Sequence, residues 1–141
     1  MANPADAPVD AAADAADWIA RRQKAGWFRV IDSGPGASGF VQVTDVHHKN
    51  RFGWLGIALL PEARGGGLGA VALAEAEDAA AGELGLRKLL PQVRADNALA
   101  LRLYDHAGWR RAGHLIAQYD DGTTLHDVLI LEKALTPVTA A

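Results

Sequence analysis

The sequence predicts a mixed α/β domain whose central sheet is mostly antiparallel and includes one parallel pair of strands. Three apolar segments, 27–31, 40–46 and 52–60, are separated by short polar gaps, which is the spacing of an antiparallel meander. A helical pattern at 68–83 leads to another apolar strand at 88–94, and a strand reached through a helix runs parallel to its predecessor. At 141 residues, half of them hydrophobic, the chain has the size and composition of one globular domain.

The folded domain is expected to span residues 10–135. Residues 1–9, which contain two prolines, are expected to be a disordered lead, and residues 136–141 a C-terminal tail. An amphipathic helix is predicted over 10–25, because alanines and an isoleucine recur on one face and acidic residues on another.

The C-terminal part of the domain is predicted to contain a helix and a closing hairpin. The helix lies between Asn97, which can cap it, and Gly108, which can end it. The hairpin strands are expected at 109–118 and 124–131, joined by an Asp-Asp-Gly turn. Pro91 lies inside the preceding strand, and because proline donates no ladder hydrogen bond, we expect it where that strand is unpaired or bulged.

Composition and charge exclude several functional classes. The chain has no cysteine, which excludes a disulfide framework and a cysteine-ligated zinc site and suits a cytoplasmic location. Its five histidines lack metal-ligand spacing, so no metal is predicted. A net charge of −3 argues against a nucleic-acid partner, and no apolar run is long enough to predict a membrane span.

The clearest chemical signal is a glycine-rich loop between the third apolar strand and the helix that follows it. Arg64 is followed by three consecutive glycines, 65–67, and then by Leu68 and Gly69. Glycines allow successive backbone N–H groups to converge on one anion, and the first turn of the helix adds unpaired N–H groups. The guanidinium of Arg64 can pair with a phosphate, so the loop is predicted to bind a phosphate-bearing ligand.

Spacing separates three phosphate-binding patterns at this loop. A nucleoside-triphosphate loop requires a lysine after the last glycine, and none is present. A dinucleotide fingerprint is matched literally by Gly65, Gly67 and Ala70, but it belongs to an alternating βαβ fold, whereas antiparallel strands are predicted here. The third pattern, Arg-x-x-Gly-x-Gly after a strand that ends in apolar-x-Pro, is matched by Arg64, Gly67 and Gly69.

A second motif covers the predicted C-terminal helix. It reads Asn-x-x-Ala-x-x-Leu-Tyr-x-x-x-Gly-aromatic and is matched by Asn97, Ala100, Leu103, Tyr104, Gly108 and Trp109. With the glycine loop ahead of it, this motif makes the chain resemble the GNAT superfamily of N-acetyltransferases over residues 27–135. The Asp-Gly turn and the strand after it are also similar to members that acetylate small amines or amino acids.

The resemblance implies direct transfer of an acetyl group from acetyl-CoA to a primary amine of a small molecule, an amino acid or a peptide. It also implies helices on both faces of the sheet and a parallel strand pair splayed open by the pantetheine arm. The residues that it assigns to acetyl-CoA are Ile57, Ala58, Leu59, Arg64, Gly65, Gly66, Gly67, Leu68, Gly69 and Asn97. Backbone N–H groups at the end of the 53–60 strand are expected to hold the thioester carbonyl.

Tyr104 occupies the position where relatives place the general acid. The ordinary pKa of tyrosine, about 10, lies above the value of about 8.5 for a thiol, so a tyrosine is protonated at neutral pH and can protonate a departing thiolate.

The general base remains open at this point. Relatives carry an acid near the start of the strand before the glycine loop, where this chain has Phe52, Gly53 and Trp54. The remaining candidates are Asp45, His47, Glu62, His126, Asp127 and a chain of waters. The two-residue period of a strand would put the first two of them on one face.

Two further hypotheses concern the N-terminal part, which is expected to lack the first strand of most family members. The sheet is therefore expected to begin with an uncovered edge at 27–31, and a symmetric homodimer is predicted through that edge or through the closing hairpin. The alternative to an enzyme is a non-catalytic acyl-CoA-binding or sensor domain of the same fold.

Overall fold

The computed structural model describes Asp17, Arg21 and the residues 26–32, 34 and 36–135. Asp17 and Arg21 are helical and form an ion pair one turn apart, at 3.5 Å. The rest of the helix predicted over 10–25, the predicted lead 1–9 and the tail 136–141 lie outside the described residues.

The described residues between 26 and 135 form a six-stranded sheet and two α-helices. The strands are β1 (Trp27–Asp32), β2 (Ala37–His47), β3 (Phe52–Leu59), β4 (Lys88–Arg94), β5 (Arg110–Asp120) and β6 (Leu125–Ala134). The helices are α1 (Leu68–Gly82) and α2 (Ala98–His106), and a single 3-10 turn spans Pro61–Ala63. The strand order is β1-β2-β3-β4-β6-β5, with β3 and β4 parallel and the other neighbours antiparallel. The predicted fold class is confirmed.

β2 begins three residues earlier than predicted. Ala37 and Gly39 pair with β1 instead of remaining in the turn. Gly39 also lies against β3 so closely that a Cβ there would overlap the carbonyl oxygen of Ala58. Gly39 was predicted to lie in a turn. It is instead required in the strand, because β2 and β3 approach too closely there for a larger residue.

The core lies between one face of the sheet and the helices. Alternate residues of the strands point into it: Trp27, Val41, Val43, Leu55, Leu89, Val93, Leu129 and Leu131. Helix α1 contributes Ala72, Leu73, Ala76 and Ala80. These mostly small side chains allow the helix to lie close to the sheet, because tight packing leaves no space for larger ones.

Both described helices pack on this same face. The Lys133 ammonium of β6 donates to the carbonyl oxygen of Ala107 after α2 (2.7 Å) and forms an ion pair with Glu77 of α1. On the opposite face, the rings of Phe28 and Phe40 stack with centroids 5.5 Å apart. The prediction of helices on both faces depends on residues 10–25 and so remains a prediction.

The parallel pair β3–β4 is short. Its ladder runs from the pair Phe52–Lys88 to the pair Leu55–Pro91 and ends there, while β4 continues beside β6. The sequence predicted that Pro91 would be unpaired or bulged. It is instead the last β4 residue paired with β3, and because it has no N–H to extend the ladder, the two strands separate after it. The separation opens a gap in the middle of the sheet.

Candidate functional site

A cleft of about 610 Å³ opens where β3 and β4 separate, on the helix side of the sheet. The residues that line it are Ile57, Ala58, Leu59, Arg64, Gly65, Gly67, Gly69, Ala70, Asn97, Leu99, Ala100, Arg102, Leu103 and His106. Most of the residues predicted to bind acetyl-CoA are therefore brought together here. Gly66, Leu68 and Tyr104 are adjacent in sequence but do not line the cleft.

The glycine loop has an open backbone between β3 and α1. Gly65 and Gly67 have φ angles of 84° and 85°, in the left-handed region that glycine adopts readily. A Cβ on either, or on Gly66, would meet no described atom within 4 Å, so the space above the loop is open. Gly67 caps α1 without a side chain, which leaves the first-turn N–H groups available to an anion. This arrangement fits the pyrophosphate of acetyl-CoA.

Three cationic or titratable nitrogen groups face the cleft. The Arg64 Nε donates to the carbonyl oxygen of Leu59 at 3.2 Å, which positions the guanidinium beside the loop. Arg102 and His106 of α2 also line the cleft, and the lining includes no Asp or Glu among the described residues. A basic lining suits a ligand with several phosphates.

Sequence reasoning missed Arg102 and His106. Neither residue is among those that the sequence predicted for the site. The available signal was helical spacing: Leu99, Arg102, Leu103 and His106 follow the i, i+3, i+4, i+7 pattern and so share one helix face. That spacing does not tell which face meets a ligand.

Backbone groups of β3 face the gap. The Leu60 N–H donates to the carbonyl oxygen of Ser38 at 2.7 Å, so by alternation the Ala58 peptide groups also face β2. Those of Ile57 and Leu59 consequently point the other way, where the β3–β4 ladder has already ended. The Leu59 carbonyl is used by Arg64, whereas the N–H groups of Ile57 and Leu59 remain available to a carbonyl oxygen.

Asn97 has two roles in the structure. Its side-chain oxygen accepts the N–H of Ala100 at 3.1 Å and so caps α2. Asn97 also lines the cleft. The cap and the cleft wall are therefore one residue, as the motif allowed.

Tyr104 is buried in the hydrophobic core and does not line the cleft. Its side chain is 2% exposed and packs edge-to-face on Trp109, with ring centroids 5.2 Å apart. Burial raises the pKa of the Tyr104 phenol well above its usual value, because the charged phenolate would lose its solvation. The phenol is therefore kept in the protonated form that a proton donor needs.

The candidate bases are scattered, and none of them lines the cleft. His47 accepts the Asn50 N–H at 3.1 Å on its Nδ1 and stacks on Phe52. Glu62 lies exposed in the 3-10 turn. Asp45 lies in a bulge of β2 between Thr44 and His47, so the simple alternation that would put Asp45 and His47 on one face does not hold.

The two candidates on β6 are held by neighbouring side chains. His126 contacts the Asp121 carboxylate at 2.7 Å. Asp127 accepts the Ala117 N–H and contacts His114, each at 2.8 Å. The Ala117 and His114 contacts lower the pKa of the Asp127 carboxyl, which makes it a weaker base.

The described residues have neither a metal-ligand cluster nor a helix that could span a membrane. No group of three or more His, Asp or Glu side chains is arranged to hold a metal ion. None of the described helices is long and apolar enough to cross a membrane.

Comparison with known proteins identifies the class. The sequence model of the acetyltransferase (GNAT) family matches residues 3–109, more than half of the chain, and the chain therefore belongs to this family. Membership supports an N-acetyltransferase enzyme that moves an acetyl group to an amine. No curated protein sequence matches the chain.

Solved structures share the fold. A spermidine N-acetyltransferase from Vibrio cholerae, in complex with CoA and spermine, superposes with a TM-score of 0.78 at 20% identity, covering 92% of this chain and 79% of that chain. A provisionally assigned phosphinothricin N-acetyltransferase superposes with a TM-score of 0.73 at 21% identity, covering 90% of this chain and 82% of that chain. At such identities the likeness is one of fold.

Proposed function

We propose that this protein uses acetyl-CoA to acetylate a primary amine of a small molecule, an amino acid or a peptide by direct transfer. The observation that carries the proposal is the cleft itself. At one end of the cleft lie the glycine loop and the N-terminus of α1, which has no side-chain cap. At the other end lie the unpaired N–H groups of β3. A phosphate-bearing thioester needs both ends at once.

The residues divide into two tasks under this proposal. The loop Arg64–Gly69 holds the pyrophosphate, with Arg102 adding positive charge nearby and the His106 ring lining the same cleft. The N–H groups of Ile57 and Leu59 hold the thioester carbonyl oxygen, because they point into the gap where the β3–β4 ladder has ended.

The transfer forms a bond between the amine nitrogen and the acetyl carbon and breaks the bond between that carbon and sulfur. The amine loses a proton, and the departing thiolate gains one. Tyr104 is assigned to that second proton, since its buried phenol stays protonated at neutral pH. This role requires its hydroxyl to reach the inner end of the cleft from below.

A thiol-release assay tests the proposal directly. Purified protein and acetyl-CoA are incubated with a panel of monoamines, polyamines, amino acids and peptides, and free CoA is measured. Turnover with at least one amine, together with an acetylated product in the mass spectrum, is expected. Acetyl-CoA binding without turnover on any amine would favour the sensor alternative instead.

We also propose that the protein works as a homodimer in the cytoplasm. The sheet of the described residues has two free edges, β1 and β5, and β5 is exposed along almost its whole length. Ile116 in β5 is 80% exposed, an unusual state for a strand isoleucine. A cysteine-free sequence suits a reducing compartment, and fractionation of cells that express the chain would test the location.

A further inference from the structure

A second pocket opens at the same gap from the opposite side of the sheet. It has a volume of about 240 Å³ and is lined by Asp45, Trp54, Leu55 and Gln92. Leu55 and Val93 belong to the core on the helix side, so the alternating side chains of Trp54 and Gln92 point away from that side. The cleft and this pocket therefore approach one break in the sheet from its two faces.

The two cavities are close along β3. Leu55 lines the pocket and Ile57 lines the cleft, and two residues of strand span about 7 Å. Direct transfer requires the attacking and attacked atoms to lie about 3–3.5 Å apart. An acetyl group held at the Ile57 N–H would lie within reach of an amine whose body occupies the pocket.

Asp45 reaches the pocket because β2 is bulged. The register of β2 against β3 shifts between Thr44 and His47, and Asp45 has a φ angle of 50°. Such left-handed backbone is uncommon outside glycine, and bulges next to active sites redirect a side chain. Without the bulge, strand alternation would turn Asp45 toward the helix side.

The polar groups of the pocket are available to a ligand. The side chains of Asp45, Trp54 and Gln92 make no hydrogen bond, ion pair or ring contact with any described residue. By contrast, other acids near the end of β4 and in the closing hairpin are engaged: Asp96 by Arg94 at 2.8 Å, and Asp121 by His126 at 2.7 Å.

We propose that this pocket is the acceptor site, and that it takes a primary amine with one positive charge and an aromatic or apolar flank. The inference rests on the N-acetyltransferase function proposed above. Asp45 would hold the ammonium, Trp54 would offer its indole face to the cation or to an aromatic flank, and Gln92 would orient the chain. One unpaired carboxylate matches one cation, unlike the spermine bound in the Vibrio cholerae structure.

The size of the pocket supports a small amine. A volume of about 240 Å³ is below the roughly 300–1,000 Å³ of sites that enclose a drug-sized ligand. Asp45 is solvent-exposed, so water can reach the bound ammonium. We assign Asp45 to binding, and the proton that the amine loses before attack passes to that water.

Steady-state kinetics at saturating acetyl-CoA test this assignment. The probes are 2-phenylethylamine, ethylamine and spermidine, and we expect kcat/KM to be at least tenfold higher for 2-phenylethylamine than for spermidine. Asp45→Asn should raise the KM for 2-phenylethylamine tenfold or more and leave the KM for acetyl-CoA unchanged. Trp54→Leu should raise the KM for 2-phenylethylamine more than that for ethylamine.

A matched control separates charge removal from local effects. Glu75→Gln removes an exposed acid of α1 that lines none of the described cavities, and it should leave all KM values unchanged. Wild-type amine KM values in both Asp45→Asn and Trp54→Leu would overturn the pocket while leaving the acetyltransferase function intact.

A binding measurement distinguishes the two proposals when turnover is absent. In the presence of CoA, 2-phenylethylamine should shift the indole N–H resonance of Trp54, identified by its loss in Trp54→Phe. A shift without turnover would retain the pocket and reject the enzyme function. Turnover without a shift at saturating amine would retain the enzyme and reject the pocket.

Discussion

Gly67 combines two properties that no other residue type supplies together. Its φ of 85° lies in the left-handed region, and the space beside its Cα is open toward the cleft. It also begins α1, so its position sets where the unpaired N–H groups point. Backbone conformation and ligand space thus depend on the same missing side chain.

Replacing Gly67 by Asp should lower acetyl-CoA affinity tenfold or more, about 1.4 kcal/mol, with the fold retained. The new carboxylate would lie where the pyrophosphate is proposed to bind. Calorimetry measures the affinity, and Gly67→Asn serves as a control of nearly the same shape without the charge. Unchanged affinity in Gly67→Asp would contradict the site, and tight NAD binding without acetyl-CoA binding would support a dinucleotide site.

Tyr104→Phe should lower kcat about 10²-fold while acetyl-CoA affinity stays nearly the same, because protonating the thiolate is a transition-state task. Since burial raises the pKa of Tyr104, its loss of the proton should cause no fall in rate between pH 7 and 9 in the wild type. Tyr119→Phe, on exposed β5, is the control. A Tyr104→Phe enzyme with wild-type kcat would remove this residue from the mechanism.

One face of helix α2 packs into the core, and another face lines the cleft. Tyr104 points into the core, whereas Arg102 and His106 line the cleft. Asn97 caps the start of this helix and also lines the cleft. A substitution at this cap would therefore affect both the start of α2 and the wall of the cleft.

Arg102→Gln should weaken acetyl-CoA binding several-fold and make binding less sensitive to salt, because one of the charges that meets the phosphates is removed. Affinity is measured at low and at moderate ionic strength. Arg111→Gln removes an exposed charge of β5 that does not line the cleft and should change neither value. Equal effects of the two substitutions would mean that Arg102 acts only through net charge.

The β5–β6 hairpin is stabilised by its acidic turn. The Asp121 carboxylate accepts from His126 (2.7 Å), from the Thr123 N–H (2.9 Å) and from the Thr124 N–H (2.8 Å). These bonds, that of His126 foremost, hold the pKa of Asp121 well below its usual value. Their contribution to stability is thus present above pH about 4 and lost as the pH falls below it.

Asp121→Asn should lower the Tm at pH 7, and the difference from wild type should shrink as the pH is lowered toward 2. Thermal unfolding followed by circular dichroism at several pH values measures this. Asp105→Asn is the control, since that carboxylate forms no hydrogen bond or ion pair with any described residue. A constant Tm difference across the pH range would show that the charge of Asp121 is not responsible.

The sheet of the described residues is broken at its centre, and both of its edges, β1 and β5, are open. The central break is stabilised by the elements around it, since β4 remains paired with β6 where it leaves β3. The open edges have unpaired N–H and C=O groups, which invite pairing with another chain. A second subunit would satisfy one of them.

Sedimentation at micromolar concentration should give about twice the chain mass of 14.9 kDa. Ile116→Lys should produce a monomer if the dimer forms through β5, since an edge lysine opposes pairing. Val30→Lys makes the same change in β1, where the residue is 44% exposed, and should produce a monomer if the dimer forms through β1 instead. A wild-type mass near 15 kDa would reject the dimer.

Local pattern was enough to predict the architecture. Strand alternation, hairpin gaps and the helix between β3 and β4 indicated a mixed sheet, and β4 was predicted with its observed bounds of Lys88–Arg94. The glycines and Arg64 indicated an anion cradle, because a left-handed backbone and an exposed N–H row depend on residue type at consecutive positions. Pro91 indicated the break in the ladder, because a proline has no backbone N–H to donate.

Contacts between distant segments decided the remainder of the site. The rotation of α2 that brings Arg102 and His106 to the cleft comes from the packing of Tyr104 and Trp109 in the core. The sequence alone does not tell which way these two side chains point. The bulge that turns Asp45 toward Trp54 and Gln92 arises from the pairing of β2 with β3. Register and helix rotation are properties of packed elements, so side chains from four separate segments met around one gap only in the folded chain.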